Sequence, residues 1–308
     1  MQPRAFPAKI EHVRIPPIKC QGIKSKLVDF IASNIKWSGE GTWYEPFMGS
    51  GVVTFNAAPS RAVLSDINPH LVNFYQDIQS RRIIPDGVKA FLELHGKKLA
   101  ESGTSKDSHY YEMRDKFNAT HDPLYLLFLN RSCFNGLIRF NASGEFNTPF
   151  GRKPHRFTKA YITKIVNQVR WVQDLITARE YQFKCCTWKE ALAGATGRDF
   201  AYIDPPYYGR HATYFDEWRE QDALELVNWT KTAPAGYAIS LWYKNKHREN
   251  TFIKEHWPDA VIRTNEHYYF LGPKEELRTS MIEALIIKPG YAAENVVPVV
   301  AYFKGYHD

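Results

Sequence analysis

"TWYEPFMGSGVVTFN", residues 42–56, passes from an apolar strand through a glycine-rich turn into a helix. The next stretch, "RAVLSDINPHLVNFYQDI" (61–78), repeats the pattern: a strand ending at Asp66, then a helix with Leu71, Phe74, Tyr75 and Ile78 on one face. Strand, helix and strand, with acids at the strand ends, predict an α/β fold with a doubly wound parallel sheet. Gly49 and Gly51 let a ligand approach backbone N–H groups where the following helix presents its positive end. Two glycines alone would describe a structural turn, and they do not form the GxGxxG fingerprint of dinucleotide enzymes. Glu45 before them and Asp66 after them, at a strand end where such folds bind a ribose diol, turn the reading to a nucleoside ligand.

The alternation then stops. Residues 83–130 read as mostly helical, and "LNRSCFNGLIRFNASGEFNTPFGRKPHRF" (129–157) is turn-rich, basic and aromatic. "KAYITKIVNQVRWVQDLI" (159–176) spaces Ile162, Ile165, Val166 and Val169 for one helical face. Strands resume at "YQFKCCTW" and "DFAYID", followed by a helix in "EQDALELVNWTKTA" and strands in "GYAISLW" and "MIEALIIK". The predicted organisation is one α/β domain over 1–79 and 159–308, interrupted by an insert at 80–158.

At 308 residues the chain can bury a full core, and 44% hydrophobic with 24% charged residues excludes a disordered chain. A formal charge of +7 with 15% aromatic residues points to a polyanion, nucleic acid ahead of an acidic membrane. Cys20, Cys133, Cys185 and Cys186 form neither a CxxC pair nor a ligand quartet and read as reduced thiols. No histidine and carboxylate cluster has metal spacing, and His155 and His211 read as surface or loop residues. The N-terminus lacks an apolar signal core and no apolar run approaches ~18 residues, so the expectation is a soluble intracellular protein.

"DFAYIDPPYYGR" (199–210) carries the chemistry. Asp204 falls where an apolar strand stops, and Pro205 and Pro206 cannot continue the ladder, so they stiffen the turn. An exocyclic amine on a heteroaromatic ring is a poor nucleophile because its lone pair is delocalised. A carboxylate and a backbone carbonyl that each accept one N–H draw the nitrogen towards tetrahedral geometry and free that lone pair. Asp204, the Pro205 carbonyl and a stacking Tyr207 supply these functions towards an electrophile held over the glycine turn. A turn with an incidental acid is the plain alternative.

The basic stretch has a chemistry of its own. Arg139 can fork onto guanine O6 and N7, and Leu137 and Pro149 can touch a thymine methyl. Phe134 can wedge between bases and Asn135 can fill the space left by an extruded base. Arg131, Arg152, Lys153 and Arg156 read as phosphate contacts.

Glycine turn, insert and then DPPY is an order that resembles the alpha-group, Dam-type DNA adenine-N6 methyltransferases. "IPPIKCQGIKSKLV" (15–28), "EPFMGSGVVTFNAAP" (45–59), "INPHL" (67–71), "FLNRSCFNGLIRFN" (128–141) and "DPPYYGRH" (204–211) look most like the EcoRV-type modification methyltransferases, and the likeness runs from about residue 13 to 287. It implies a Rossmann-like S-adenosylmethionine-dependent methyltransferase sheet with an inserted, mainly helical target-recognition domain carrying a β-hairpin. It further implies a cofactor set of Lys19, Cys20, Lys24, Glu45, Phe47, Gly49, Ser50, Gly51, Asp66, Asn68, Thr187, Trp188 and Asp204. Cys20 and Ile23 stand where the family commonly has tryptophan and glycine, and Thr187 and Trp188 where it often has an acid and phenylalanine. Lys19 and Asn141 join the DNA-binding set.

The implied activity is methylation of the first adenine of a palindrome beginning GAT, with GATATC favoured and GATC second. The methyl donor is S-adenosylmethionine, the product S-adenosylhomocysteine, and no metal takes part. The implied setting is a bacterial, archaeal or phage-encoded cytoplasmic enzyme, monomer or weak dimer, acting on double-stranded DNA. A cognate restriction endonuclease would share its site without direct contact. The loop over 208–218 is expected to close over the flipped base; the tail 291–308 has no assigned role, an added strand being one option. Two other readings remain at this point: an amine or amide methyltransferase acting on RNA or protein, and a nucleotide-binding protein without catalysis.

Overall fold

The computed structural model describes residues 3–206, 218–245, 248–270 and 278–294. Its strands are β1 (Trp43–Glu45), β2 (Arg61–Asp66), β3 (Glu180–Cys185), β4 (Phe200–Ile203), β5 (Gly236–Asn245), β6 (Val261–Phe270) and β7 (Arg278–Ile287). Its helices are α1 (Val28–Asn34), α2 (Val52–Ala57), α3 (Pro69–Gln79), α4 (Pro85–Ser102), α5 (His109–Thr120), α6 (Pro123–Ser132), α7 (Lys159–Ala178), α8 (Trp188–Leu192), α9 (Glu220–Thr232) and α10 (Phe252–His256).

The strands form one seven-stranded sheet in the order β3-β2-β1-β4-β5-β7-β6. The run from β3 to β5 is parallel, and β7 lies antiparallel between β5 and β6. After β1 the chain moves outward to β2 and β3, then returns to lay β4 on the other side of β1. The reversal falls between β1 and β4, and in open parallel sheets that crevice, outside the carboxyl ends, is where ligands bind. Glu45 ends β1, Asp66 ends β2, and Asp204 directly follows β4.

Every residue of β4 is buried, and its side chains alternate between two apolar layers. Phe200 and Tyr202 pack with Trp43, Leu64 and Ala238 on one face of the sheet. Ala201 and Ile203 pack with Tyr237, Ile239 and Ile286 on the other. On the first face Trp43 stacks between Phe6 and Phe200, with ring centroids 5.5 and 5.4 Å away.

Helices α4, α5 and α6 lie where the insert was expected, between β2 and β3. Their starts follow local chemistry: Pro85 and Pro123 occupy first-turn positions, and the Asp122 carboxylate accepts the Leu124 N–H at 2.8 Å. Val88, Leu92, Tyr110, Met113 and Phe117 belong to the same buried cluster as Phe55, Phe74 and Phe183. One apolar core therefore runs without a break from the sheet through α3 and α7 into these helices. The expected β-hairpin after α6 takes a looser form. A single 3-10 turn over Phe134–Gly136 is followed by isolated antiparallel bridges, Cys133 with Phe150 and Phe140 with Phe146, in place of continuous strands. Strand β6 was not anticipated from the sequence. Of the tail, Ala292 makes an antiparallel bridge to Ile35, and 295–308 lie outside the described residues. Among the described residues no helix is long and apolar enough to cross a membrane.

Candidate active site and nucleic-acid interface

The glycine loop leaves β1 at Glu45 and enters α2 at Val52. Gly51 has φ +68°, and a Cβ there would come within 2.6 Å of the Phe55 ring, so glycine is required on both counts. The helix start thus has no side chain to cap it, and Glu45 does the work from beneath. Its carboxylate accepts the Thr54 N–H at 3.0 Å and the Thr54 hydroxyl. Burial pushes the Glu45 carboxyl up to about 8, against the pull of the Thr54 hydrogen bonds.

Asp66 braces the same loop from β2. Its Oδ2 accepts the Gly49 N–H at 2.9 Å and its Oδ1 accepts the Asn68 N–H at 2.9 Å. Burial raises its pKa, and the backbone donors of Asn68, Gly49 and Ile67 oppose the rise. Asn68 is itself committed, its side chain accepting the His70 N–H at 3.0 Å to start α3. The Ser50 carbonyl accepts from the Tyr75 hydroxyl at 2.7 Å. Thr187 starts α8 in a reciprocal pair with Glu190.

These elements surround a cavity of about 300 Å³. Cys20, Lys24, Glu45, Phe47, Gly49, Ser50, Asp66, Asn68, Thr187, Trp188, Asp204 and Pro206 all line it. Lys19, Gly51 and Pro205 do not. Lys19 lies at the base of the hairpin, where its N–H donates to the Asn130 side chain at 2.8 Å. Gly51 faces Phe55, and Pro205 lines a separate cavity of about 20 Å³ with Trp218 and Trp257. Cys20 sits across from Gly49, 3.8 Å from where a Cβ on that glycine would stand, and burial pushes its thiol up, so it presents a neutral, small wall.

Asp204 is held by a lysine that the sequence reading placed in the cofactor set. Lys24 Nζ is 3.1 Å from Asp204 Oδ1 and 3.6 Å from Glu283 Oε2, and Lys24 and Glu283 are both buried. Burial pushes the Asp204 carboxyl up to about 6; Lys24 opposes that rise and Glu283 adds to it. Tyr207, Tyr208 and the expected closing loop up to 217 lie outside the described residues. Trp218, just beyond them, meets Phe47 edge-on with ring centroids 5.3 Å apart.

On the other side of the cavity the hairpin turns a different set of groups to solvent. Phe134 is 54% exposed, and Asn135, Arg139, Pro149, Arg152 and Lys153 are exposed as well. Arg139 Nε donates to Asn147 Oδ1 at 2.7 Å, which fixes the guanidinium on the neighbouring arm. Asn141 is exposed, but its side chain builds the tip: Oδ1 accepts the Ser143 and Glu145 N–H groups at 3.0 and 2.9 Å. Leu137 is half-buried and its carbonyl accepts from the Thr148 hydroxyl at 2.9 Å.

Arg131 corrects the sequence reading. It is 3% exposed and cannot reach a phosphate. Its Nη2 donates to Gln168 Oε1 at 2.6 Å and to the Pro17 carbonyl, so it ties the N-terminal segment to α7. Arg156 is partly buried too, its guanidinium 4.5 Å above the Tyr161 ring.

Several lining residues escaped the sequence reading. Ile138 and Phe140 face the cavity, while Arg139 between them faces solvent. That period of two was visible in "LIRF" and could have divided the stretch between the two roles. Trp218 and Asp222 carried weaker signals. Glu283 does not line the cavity and meets the site through Lys24; its mark in the sequence is a lone acid in the apolar run "MIEALII". Among the described residues no group of three His, Cys, Asp or Glu side chains is placed to hold a metal ion.

Comparison with known proteins gives a consistent picture. Residues 21–269 match the family described as D12 class N6 adenine-specific DNA methyltransferase. A protein of Serratia marcescens named DNA adenine methylase is 33% identical over 200 residues, 64% of this chain and 68% of that protein. The protein of the same name from Escherichia coli K12 is 34% identical over 202 residues, 64% of this chain and 66% of its own length. The one from Haemophilus influenzae is 31% identical over 197 residues, 62% and 63%. The chain thus spans about two thirds of the length of these relatives.

Proposed function

The chain belongs to the D12 class of N6 adenine-specific DNA methyltransferases, and on that premise we propose that it moves a methyl group from S-adenosylmethionine to N6 of an adenine turned out of duplex DNA. The observation that carries this reading is the position of Asp204: a carboxylate at the end of β4, on the cavity shared with the glycine loop, with one oxygen held by Lys24.

The cavity suits the methyl donor. About 300 Å³ is within the range of small-molecule sites. The Asp66 carboxylate is fixed by two backbone donors and keeps lone pairs for a ribose diol. Phe47, Trp188 and Trp218 offer aromatic walls for an adenine ring. Cys20, Ser50 and Thr187 complete the lining; Glu45, Gly49, Gly51 and Asn68 act by shaping the loop. S-adenosylmethionine, when bound, supplies a sulfonium methyl and leaves as S-adenosylhomocysteine.

The chain's own groups prepare the nucleophile. Asp204 accepts one N6–H and the Pro205 carbonyl the other, Pro206 stiffens the turn, and Tyr207 stacks on the base. As the N–C bond forms and the S–C bond breaks, the surplus proton leaves N6 for solvent. An adenine inside a duplex cannot offer N6 to this cavity, so the base must flip. Phe134 wedges into the stack, Asn135 fills the gap, and Arg139, Leu137 and Pro149 read neighbouring bases. Arg152, Lys153 and Lys19 serve the phosphates, and residues 80–158 form the reading part of the molecule.

The site is a palindrome beginning GAT, GATATC first and GATC second, on the EcoRV-type likeness of the segments at 15–28 and 128–141. The same likeness makes the chain the modification half of a restriction-modification pair. Tritiated methyl transfer to duplex DNA, RNA and protein acceptors tests the class of substrate. Label in duplex DNA alone is expected; label in RNA or protein with none in DNA would overturn the reading.

A further inference from the structure

We propose that Glu283 is a positioning residue for methyl transfer: through the Lys24 ammonium it sets how Asp204 is held and leaves Asp204 free to accept from the substrate amine. The inference rests on Asp204 being the catalytic carboxylate. Glu283 lies beyond the part of the chain that matches the family, which ends at residue 269.

The geometry carries the argument. Glu283 is 1% exposed, in the middle of β7, where Ala284, Leu285, Ile286 and Ile287 are all at 1% or less. A carboxylate in such a run is strongly disfavoured unless it is paired. Its register partners are Trp242 on β5 and Asn265 on β6, so the sheet holds it firmly. Lys24 comes from the N-terminal segment, and its Nζ also donates to the Gly22 carbonyl at 3.3 Å. Three separate parts of the chain therefore meet at one ammonium: the segment after Gly22, the end of β4, and the middle of β7.

Two acids sharing one buried cation behave differently from a simple pair. A lone Lys24–Asp204 bridge would draw the ammonium fully onto Asp204 and compete with the substrate amine for its lone pairs. Glu283, 3.6 Å from the same nitrogen, draws the cation back. Lys24 holds Asp204 through Oδ1 at 3.1 Å, and in the proposed arrangement Oδ2 accepts from N6. Among the described residues, Glu45 at the end of β1 and Tyr202 on β4, both buried, also face Asp204. Removing the charge on Glu283 takes away one of the influences that raise the Asp204 pKa while Lys24 and the burial stay, so the pH at which Asp204 ionises falls.

The test compares wild type with Glu283→Gln and Glu283→Asp in steady-state methylation of duplex DNA from pH 5 to 9, with KM for both substrates and thermal stability measured alongside. For Glu283→Gln the expectation is a kcat lower by roughly ten- to a hundredfold, unchanged KM values, and an acidic limb moved to lower pH. Glu283→Asp, which keeps the charge one methylene further back, is expected between the two. An acidic limb and kcat indifferent to both substitutions would overturn the proposal. So would a loss of activity in Glu283→Asp that only follows the folded fraction, with the limb unmoved. A wild type that labels no DNA counts instead against the reading of Asp204 itself.

Discussion

The floor of the cavity and the hairpin above it are built by opposite means. On the floor the acids and the amide that face the ligand space are held from below: Asp66 by two backbone N–H groups, Glu45 by Thr54, Asn68 by a helix start, Asp204 by Lys24. On the hairpin, Phe134, Asn135, Pro149, Arg152 and Lys153 stand in solvent, and the backbone is stitched by single bridges instead of a ladder. The difference suits the two tasks proposed for them. Chemistry gains from dipoles that need no reorganisation at the moment of reaction. Reading a base edge needs side chains that meet DNA before anything else does. The two regions meet at Asn130, whose amide accepts the Lys19 N–H at 2.8 Å and donates to the Lys19 and Gly136 carbonyls at 2.9 and 3.1 Å. Ile138 and Phe140 make the second join, since they line the cavity from the hairpin side.

If this contrast is right, substitutions on the floor should strike turnover and those on the hairpin should strike discrimination. The largest effect is expected for Asp204→Ala: loss of kcat by about a thousandfold or more with cofactor affinity kept, read by single-turnover kinetics and calorimetric binding. Equal loss of cofactor affinity and folding would make Asp204 a structural turn residue. Arg131 follows, because it lies beside the hairpin in sequence but is buried like the floor. Arg131→Ala should cost about 2–4 kcal/mol of stability by chemical denaturation. Arg152→Ala should change stability by no more than about 0.5 kcal/mol and lower the salt slope of DNA binding by about one. Arg139→Ala should weaken discrimination by about 1–3 kcal/mol at one base pair, read by competition between sites differing at a single position. Uniform weakening across all sequences would make Arg139 a phosphate contact. The gentlest probe is pH. The reactive form of Asp204 is the carboxylate, and its ionisation is pushed up to about 6, so turnover should be level above that pH and fall as pH drops through it.

The sequence made the floor readable because strand ends carry local marks. Acids after apolar runs, glycines in a turn and a proline pair announced Glu45, Gly49, Asp66 and Asp204 without knowledge of any partner. What was misread or missed shares a cause. Arg131 looked like one more cation in a basic stretch; its burial depends on Pro17 and Gln168, far away in the chain. Lys24 and Glu283 are joined only once β7 is inserted beside β5. Strand β6 is the edge of the sheet, and Val261 to Glu266 are at most half-buried there, so its two faces differ too little to leave a period of two.

The central claim is that this chain methylates N6 of adenine in duplex DNA at one short palindrome. Unmethylated genomic DNA incubated with the protein and S-adenosylmethionine, then sequenced with base-modification detection, tests it directly. The account predicts N6-methyladenine at every copy of a single palindrome beginning GAT and at no other adenine. DNA without N6-methyladenine, under conditions where the protein binds the cofactor, would contradict it.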